Sequence, residues 1–146
     1  MPVSALVLTA ALAAATPASV SHEVAVQHRD AAYQVSYRPH VRTEMKTVGM
    51  SAGTRPSTER CRWEMIVQVE RQIRRQGDTA SVDRLLPDAH VIRGDRPGSC
   101  TIGRDAIEAA HVAQRDKLQA HVTRVASADH PNVLADIDSA RALASN

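Results

Sequence analysis

The sequence predicts an α+β fold, in which a small antiparallel sheet of roughly three to five strands packs on one long helix and a short helix follows at the C-terminus. Two observations predict it. Apolar and polar side chains alternate with a period of two over residues 33–49 and 61–73, as in strands with one wet face. After residue 103 the apolar side chains recur at helical spacing instead.

Three segments are predicted to be strands in the first half of the chain. Residues 22–28, HEVAVQH, form a short one, and residues 33–49 form the next, which Pro39 marks as an edge strand or an interrupted one. Residues 61–73, CRWEMIVQVERQI, show the clearest alternation. The loop between the last two strands is rich in Gly, Pro, Ser and Thr, so we expect these strands to pair.

In that pairing we expect Trp63 to cover Tyr37 or Val41. Residues 76–88 hold turn-forming residues and show no periodicity, so they are predicted to be irregular. A short strand is expected at 89–93.

The second half of the chain is predicted to be helical. A helix of roughly 22 residues begins at Gly103, where Ile102 and Ile107 occupy the positions of a hydrophobic staple. Leu118 lies on its apolar face and is expected to be buried against the sheet. A second, short helix is predicted to begin at Pro131, and the last few residues of the chain are expected to fray.

Residues 1–21 are predicted to be a cleaved secretory signal peptide, which leaves 22–146 as a single domain. The run SALVLTAALAAA is apolar and uncharged but too short to span a bilayer, and small residues follow Pro17. The mature chain shows no transmembrane segment. We therefore expect a periplasmic or secreted protein.

Cys61 and Cys100 are the only cysteines, and an even count in an exported chain predicts one disulfide between them. The turn formers Pro97 and Gly98 would bring Cys100 back toward Cys61. A metal site or a redox pair is the alternative, but the CxxC spacing and further ligands that such sites use do not accompany these cysteines.

Composition excludes some functions and suggests one. With no Phe, one Trp and two Tyr, the chain lacks the aromatic platforms that bind single-stranded nucleic acid, so we expect no specific nucleic-acid recognition. The front half is rich in arginine, and the candidate residues of an anion-binding surface are Arg38, Arg42, Arg60 and Arg62. The alternative is that these charges only solvate one face of the sheet.

His22 is the one candidate metal ligand. Cleavage after Ser21 would combine its imidazole with the free amine, a set that suits copper, and a second histidine (His28, His40 or His90) would complete a copper brace. Cleavage after Ala18 would not expose it. Because this idea depends on a single residue, we expect no metal site and no cofactor.

Motifs of the common nucleophilic and phosphate-binding enzymes are absent from the sequence, so we expect the chain not to be an enzyme. The apolar N-terminal run, the CRWEMIVQVERQI strand and a second cysteine ahead of GRDAIEAAH together resemble small exported proteins of Gram-negative bacteria. That resemblance is one of general pattern and implies no activity and no site residue.

The function predicted from the sequence is therefore that of a noncatalytic exported protein, which acts by binding or as an envelope component. Its expected partners are anionic envelope polymers or another exported protein. The first alternative is copper handling through His22, and the second is polyanion binding through the arginine-rich half.

Overall fold

The computed structural model describes residues 20–101 and 104–145 of the 146-residue chain, and side chains over 20–101 and 109–145. The predicted signal peptide and the predicted helix start at Gly103 therefore lie almost wholly outside the described residues. The fold is α+β, as predicted. Its elements, in chain order, are β1 (His22–His28), β2 (Ala31–Val48), β3 (Arg60–Arg75), β4 (Ser81–Pro97), α1 (Arg104–Ala113) and α2 (Arg115–Ala144).

The four strands form one antiparallel sheet in the order β1-β2-β3-β4, so each strand pairs with its neighbour in sequence. The pairing of β2 with β3 confirms the sequence prediction, and Val41 lies opposite Val67. The predicted position of Trp63 is wrong, because the register places it opposite Met45. Its ring rests on Gly94 of β4, where a Cβ atom would approach Trp63 Cζ2 to 2.1 Å.

Strand β4 corrects the prediction that residues 76–88 are irregular. It starts at Ser81 and pairs with β3 on both sides of a bulge, with Gln68 opposite Ala89 and Glu70 opposite Leu85. One residue of β3 therefore faces three of β4, Leu86–Asp88, and the bulge accommodates Pro87. The positions of β4 that lie opposite buried residues of β3 mix apolar and polar side chains (Val82, Arg84, His90 and Ile92), which hides the strand from a search for period two.

The helices also differ from the prediction. The break falls at Gln114, so the short helix, α1, comes first, and α2 runs for 30 residues through Pro131 to Ala144. Proline inside a helix removes a hydrogen bond and is usually a boundary. Here the helix continues because buried side chains, Ala126 before Pro131 and Val133 after it, hold both halves. Neither helix combines the length and apolar character that crossing a bilayer needs.

The inner face of the sheet carries the core. The larger buried cluster combines side chains of all four strands with five from α2, and a smaller one joins Met65, Val67 and Ile92 to Leu118. The members of the larger cluster are Val26, Ala31, Tyr33, Val35, Tyr37, Val69, Ile73, Leu86, Val122, Val125, Ala126, Val133 and Ile137. Burial of these apolar side chains supplies the main favourable term for folding.

A disulfide joins Cys61 at the start of β3 to Cys100 after β4, with sulfur atoms 1.98 Å apart. This is the pair predicted from the sequence. Cys61 belongs to the buried face of β3, so the bridge fastens the segment that precedes α1 to the inner face of the sheet.

Candidate functional site

A buried arginine connects the sheet to α2. Arg71 lies on the inner face of β3 in line with Val69 and Ile73, and its side chain is 0% exposed. Its Nη1 donates to Asp129 Oδ2 at 2.8 Å, and its Nη2 donates to Asp136 on the same helix. An isolated buried cation is very costly, so these two carboxylates are needed to keep Arg71 inside the protein.

Asp129 is the better buried of the two carboxylates, with 6% exposure, and it accepts from three side chains. Besides Arg71, the Tyr37 hydroxyl donates to it at 3.3 Å and Asn132 Nδ2 donates to it at 3.1 Å. Burial and the charge of Asp129 raise the pKa of Tyr37 well above its ordinary value. Both carboxylate oxygens of Asp129 therefore already accept hydrogen bonds from neighbouring side chains.

Next to this network lies a cavity of about 580 Å³ between β4 and α2, which we call the His121 cavity. Its volume is within the usual range for small-molecule sites. The bulge in β4 forms one wall, and one face of α2 forms the other. The cavity is lined by Arg84, Leu86, Pro87, Asp88, Ala89, His90, His121, Arg124, Val125, Ala128, Asp129 and Asn132.

His121 is the least satisfied polar side chain of this cavity. It is 5% exposed, and its ring stacks on that of His90 with centroids 4.9 Å apart. Arg124 Nη2 lies 2.9 Å from His121 Nδ1. Nε2 is buried and has no hydrogen-bond partner within the described part of the chain.

The contact with Arg124 decides which nitrogen of His121 carries the proton. Arginine has only donors, so Nδ1 must accept, and the neutral ring then carries its proton on Nε2. Burial, helped by the neighbouring His90 and Arg124 and opposed by Asp88, holds the pKa of His121 below its ordinary value of 6.5. His121 thus carries an N–H donor that is unpaired among the described residues and closed off from solvent.

The charged residues of the cavity differ in how well they are paired. Arg84 lies 3.3 Å from Asp136, which also receives Arg71. Arg124 has a neutral partner in His121, and among the residues whose side chains are described no carboxylate lies within ion-pair distance of it. Asp88, on the exposed bulge, likewise forms no described ion pair.

A second cavity, of about 400 Å³, lies further along α2, beside the turn that joins β3 to β4. Its walls are more apolar, with Tyr33, Ile73 and Val82 on the sheet and Ile137 and Ala140 on α2. No buried unsatisfied donor or acceptor is found in it among the described side chains. It therefore offers less polar recognition than the His121 cavity.

The four arginines predicted to bind anions lie on the opposite, outer face of the sheet. Arg42 pairs with Glu44, and Arg60 pairs with Asp95 at 2.7 Å. Arg38 lies opposite Glu70 on the neighbouring strand, and Arg62 lies opposite Lys46. Because carboxylates lie between the arginines, the structure does not gather them into one cationic patch.

The structure separates the histidines proposed to accompany His22. His22 and His28 lie at opposite ends of β1, and His28 Nε2 is 2.9 Å from Asp138 Oδ1. His40 faces Glu70 on the outer side, and His90 stacks on His121. No group of three metal-ligating side chains occurs within residues 20–101 and 104–145. A copper site at a processed terminus stays a prediction that this geometry does not test.

Sequence reasoning missed both Arg71 and the His121 cavity. Arg71 occupies one of the alternate positions of β3 that face the core, between Val69 and Ile73, and an arginine at such a position could have been noticed in the sequence. The cavity gave no such signal, because its walls meet only in the tertiary structure. Comparison with protein-family models, with curated proteins and with solved structures finds no match to this chain.

Proposed function

We propose that this chain is a noncatalytic exported protein that binds a small ligand in the His121 cavity. The observation that carries the proposal is the cavity itself, about 580 Å³ between β4 and α2, a volume within the usual range for small-molecule sites. Its lining combines apolar side chains such as Leu86 and Val125 with the exposed guanidinium of Arg124, which has no carboxylate partner among the described side chains.

Binding without chemistry fits the state of the polar groups. A general base needs a free lone pair, and His121 uses its Nδ1 lone pair to accept from Arg124. Asp129 already accepts hydrogen bonds from Arg71, Tyr37 and Asn132, so its oxygens are occupied. Both groups support the cavity wall rather than move protons.

Export is supported by two features. Disulfides persist mainly in oxidising compartments, and one joins Cys61 to Cys100. The apolar run before residue 18 has the length of a signal-peptide core. A periplasmic or secreted location would also expose the cavity to extracellular solutes.

A fragment screen observed by ¹⁵N–¹H NMR tests the proposal. We expect at least one compound from a diverse set of soluble acids, amines and neutral fragments to shift resonances of His121, Arg124 and Ala128 together. Ala128 is exposed and lines the cavity, so Ala128→Phe should abolish these shifts by filling the space.

The matched control is Ala135→Phe, the same change at an exposed position of α2 outside both cavities. It should leave the shifts intact. Shifts that survive Ala128→Phe, or a screen in which no fragment perturbs the cavity, would overturn the proposed function.

A further inference from the structure

We infer that two copies of this chain pair antiparallel through the open edge of β4, with a twofold axis at Ile92. This pairing joins two four-stranded sheets into one continuous sheet of eight strands. Strand β4 ends the sheet, because the strand order is β1-β2-β3-β4 and no described strand pairs with its other side. An unpaired edge presents backbone donors and acceptors that another strand can bind.

The backbone groups of alternate β4 residues point to the open edge. Gly98 N donates to Glu59 O at 2.8 Å, and these two residues continue the register of the β3–β4 ladder. Hydrogen-bonded and non-hydrogen-bonded pairs alternate in an antiparallel ladder, so even-numbered residues from 90 to 98 bind β3. Odd-numbered residues from 89 to 97 therefore turn their backbone groups outward. Pro97 fits this pattern, because it has no N–H to donate.

Two prolines mark the ends of the available stretch. Pro87 lies in the bulge and Pro97 ends β4, so residues 88–96 run between them without interruption. Prolines and bulges protect sheet edges from pairing, and here both stand outside this stretch. The two prolines lie five residues before and five residues after Ile92, so an axis at Ile92 places each of them beyond the end of the pairing.

Pairing about Ile92 brings the outward-facing backbone groups into register. Ala89 lies opposite Asp95 of the second copy, and Val91 lies opposite Arg93 of the second copy, with both pairs repeated by symmetry. Each of these residues has a free N–H and C=O, so the four pairs form about eight backbone hydrogen bonds. The pairing therefore satisfies the open edge over its whole uninterrupted length.

The same register pairs two charged side chains across the axis. Asp88 and Arg96 form no ion pair among the described side chains, in contrast to three other charged residues of β4. Both lie on the inner side of the sheet, since Asp88 lines the His121 cavity and Arg96 lies opposite the buried Cys61. An axis at Ile92 sets Asp88 of each copy opposite Arg96 of the other, which makes two reciprocal ion pairs.

Other registers are less favourable, which fixes the axis at Ile92. Moving the axis toward either end draws a proline into the pairing, where its missing N–H interrupts the ladder. An axis at Arg93 draws in Pro97 and also places that arginine opposite itself. An axis at Val91 draws in Pro87 and leaves the inner charges without partners.

The helices leave space for this pairing. Helix α2 packs mainly on β1, β2 and β3, so two copies of α2 on the same side of the joined sheet lie apart. The axis stands beside the bulge, and Arg96 of the second copy lies at the edge of the His121 cavity, next to Asp88. Each cavity thus gains a charged side chain from the other copy, whereas the pairing itself does not depend on the proposed ligand.

Sedimentation velocity of the full chain tests the association. Two strands of nine residues bury less surface than a standard interface, so we expect a dissociation constant in the micromolar range. Val91→Pro removes an N–H that faces the open edge and leaves the bonds between β3 and β4 intact, so it should abolish the dimer. Wild-type protein that stays monomeric up to about 1 mM overturns the inference.

Asp83→Pro is the matched control for Val91→Pro. Asp83 lies opposite Gln72, whose backbone binds β2, so its N–H also faces the open edge but on the other side of the bulge. This variant should keep the dimer, and circular dichroism verifies that both variants fold. A dimer that survives in folded Val91→Pro, or is lost equally in Asp83→Pro, contradicts the pairing.

Charge reversal tests the contact between copies even if Val91→Pro fails to fold. Asp88→Arg and Arg96→Asp each set like charges opposite one another, so each should weaken the dimer about tenfold or more. An equimolar mixture of the two variants should form a heterodimer, because opposite charges then meet at both positions. Asp83→Arg, the same change outside 88–96, should leave the dissociation constant unchanged. A mixture that does not recover, or equal weakening by Asp83→Arg, overturns the inference.

The register is tested by NMR on a mixture of isotope-labelled and unlabelled protein. His90 of one copy lies opposite Gly94 of the other as a non-hydrogen-bonded pair, in which Cα atoms are about 4.5 Å apart. An intermolecular NOE between their Hα atoms is expected, and a dimer without it refutes the axis at Ile92. These results are separate from the fragment screen: a dimer whose cavity binds no fragment retains this inference and refutes the proposed function.

Discussion

Arg71 and Arg60 lie on the same strand and each forms an ion pair, yet their surroundings differ completely. Arg71 points to the inner face, is 0% exposed and holds two carboxylates of α2. Arg60 points outward, is 49% exposed and pairs with Asp95 of β4. The comparison shows that the contribution of an arginine to stability depends on which face of the strand its side chain lies on, and not on the residue type alone.

Burial of an apolar cluster holds α2 against the sheet. The two ion pairs of Arg71 specify where along the sheet the helix lies. Asp129 and Asp136 lie seven residues apart, two turns along the same face of the helix. Binding both with one guanidinium specifies the position of α2 along the sheet, and this places His121 and Arg124 beside the bulge in β4. The outer ion pair of Arg60 with Asp95, in contrast, links two strands that backbone hydrogen bonds already hold together, so it specifies nothing new.

The largest expected effect comes from removing the inner cation. Arg71→Met should lower the free energy of unfolding by about 3–5 kcal/mol, because Asp129 would remain buried without its charge partner. Arg60→Met, the same change on the outer face, should cost less than about 1 kcal/mol. Urea unfolding followed by circular dichroism measures both. Similar losses from the two variants would contradict the comparison.

Loss of the disulfide should have an effect of similar size. Replacing Cys61 and Cys100 with Ser should lower the free energy of unfolding by about 2–5 kcal/mol, because the bridge closes a loop of 39 residues in the unfolded chain. The measurement is urea unfolding of the variant beside the oxidised wild type. Two alkylatable thiols in wild-type protein purified without reductant would refute the bridge itself.

The contact of α2 with the smaller core cluster gives the next effect. Leu118 is 4% exposed and packs with Met65 and Val67, so Leu118→Ala should cost about 2–5 kcal/mol. Lys117, its neighbour on the exposed side, is the control, and Lys117→Ala should change the free energy of unfolding little. Equal effects would mean that the helix presents a different face to the sheet.

The smallest expected effect is a pH dependence at His121. Its pKa is lower in the folded state than its ordinary value of 6.5, so below that pH the unfolded chain binds a proton first. The stability present above pH 6.5 is therefore lost as pH falls toward the folded pKa. Wild-type protein should lose more stability than His121→Gln between about pH 7.5 and 5.5.

His130 on the exposed side of α2 provides the control for this titration. His130→Gln should leave the pH dependence of the wild type unchanged, which assigns the effect to the inner face. If His121→Gln follows the wild-type curve instead, the burial of His121 does not affect stability.

The sequence determined the α+β class, the pairing of β2 with β3 and the cysteine pair. These features depend on local signals: the alternation over CRWEMIVQVERQI, the loop before it, and a count of two cysteines. The alternation also placed Leu118 and its sheet partners in the core, because helical and strand periods report which face is apolar.

Only the tertiary structure decided the rest. The pairing of β3 with β4 extends the sheet through a bulge and through polar side chains such as Arg84 and His90, and packing on both sides of Pro131 allows α2 to continue past it. The alternation of β3 indicates that Arg71 faces the core, but its partners Asp129 and Asp136 are 58 and 65 residues away and could not be identified from the sequence. The His121 cavity exists because the bulge in β4 and one face of α2 meet across the fold, and a contact between distant segments leaves no periodic trace in the chain.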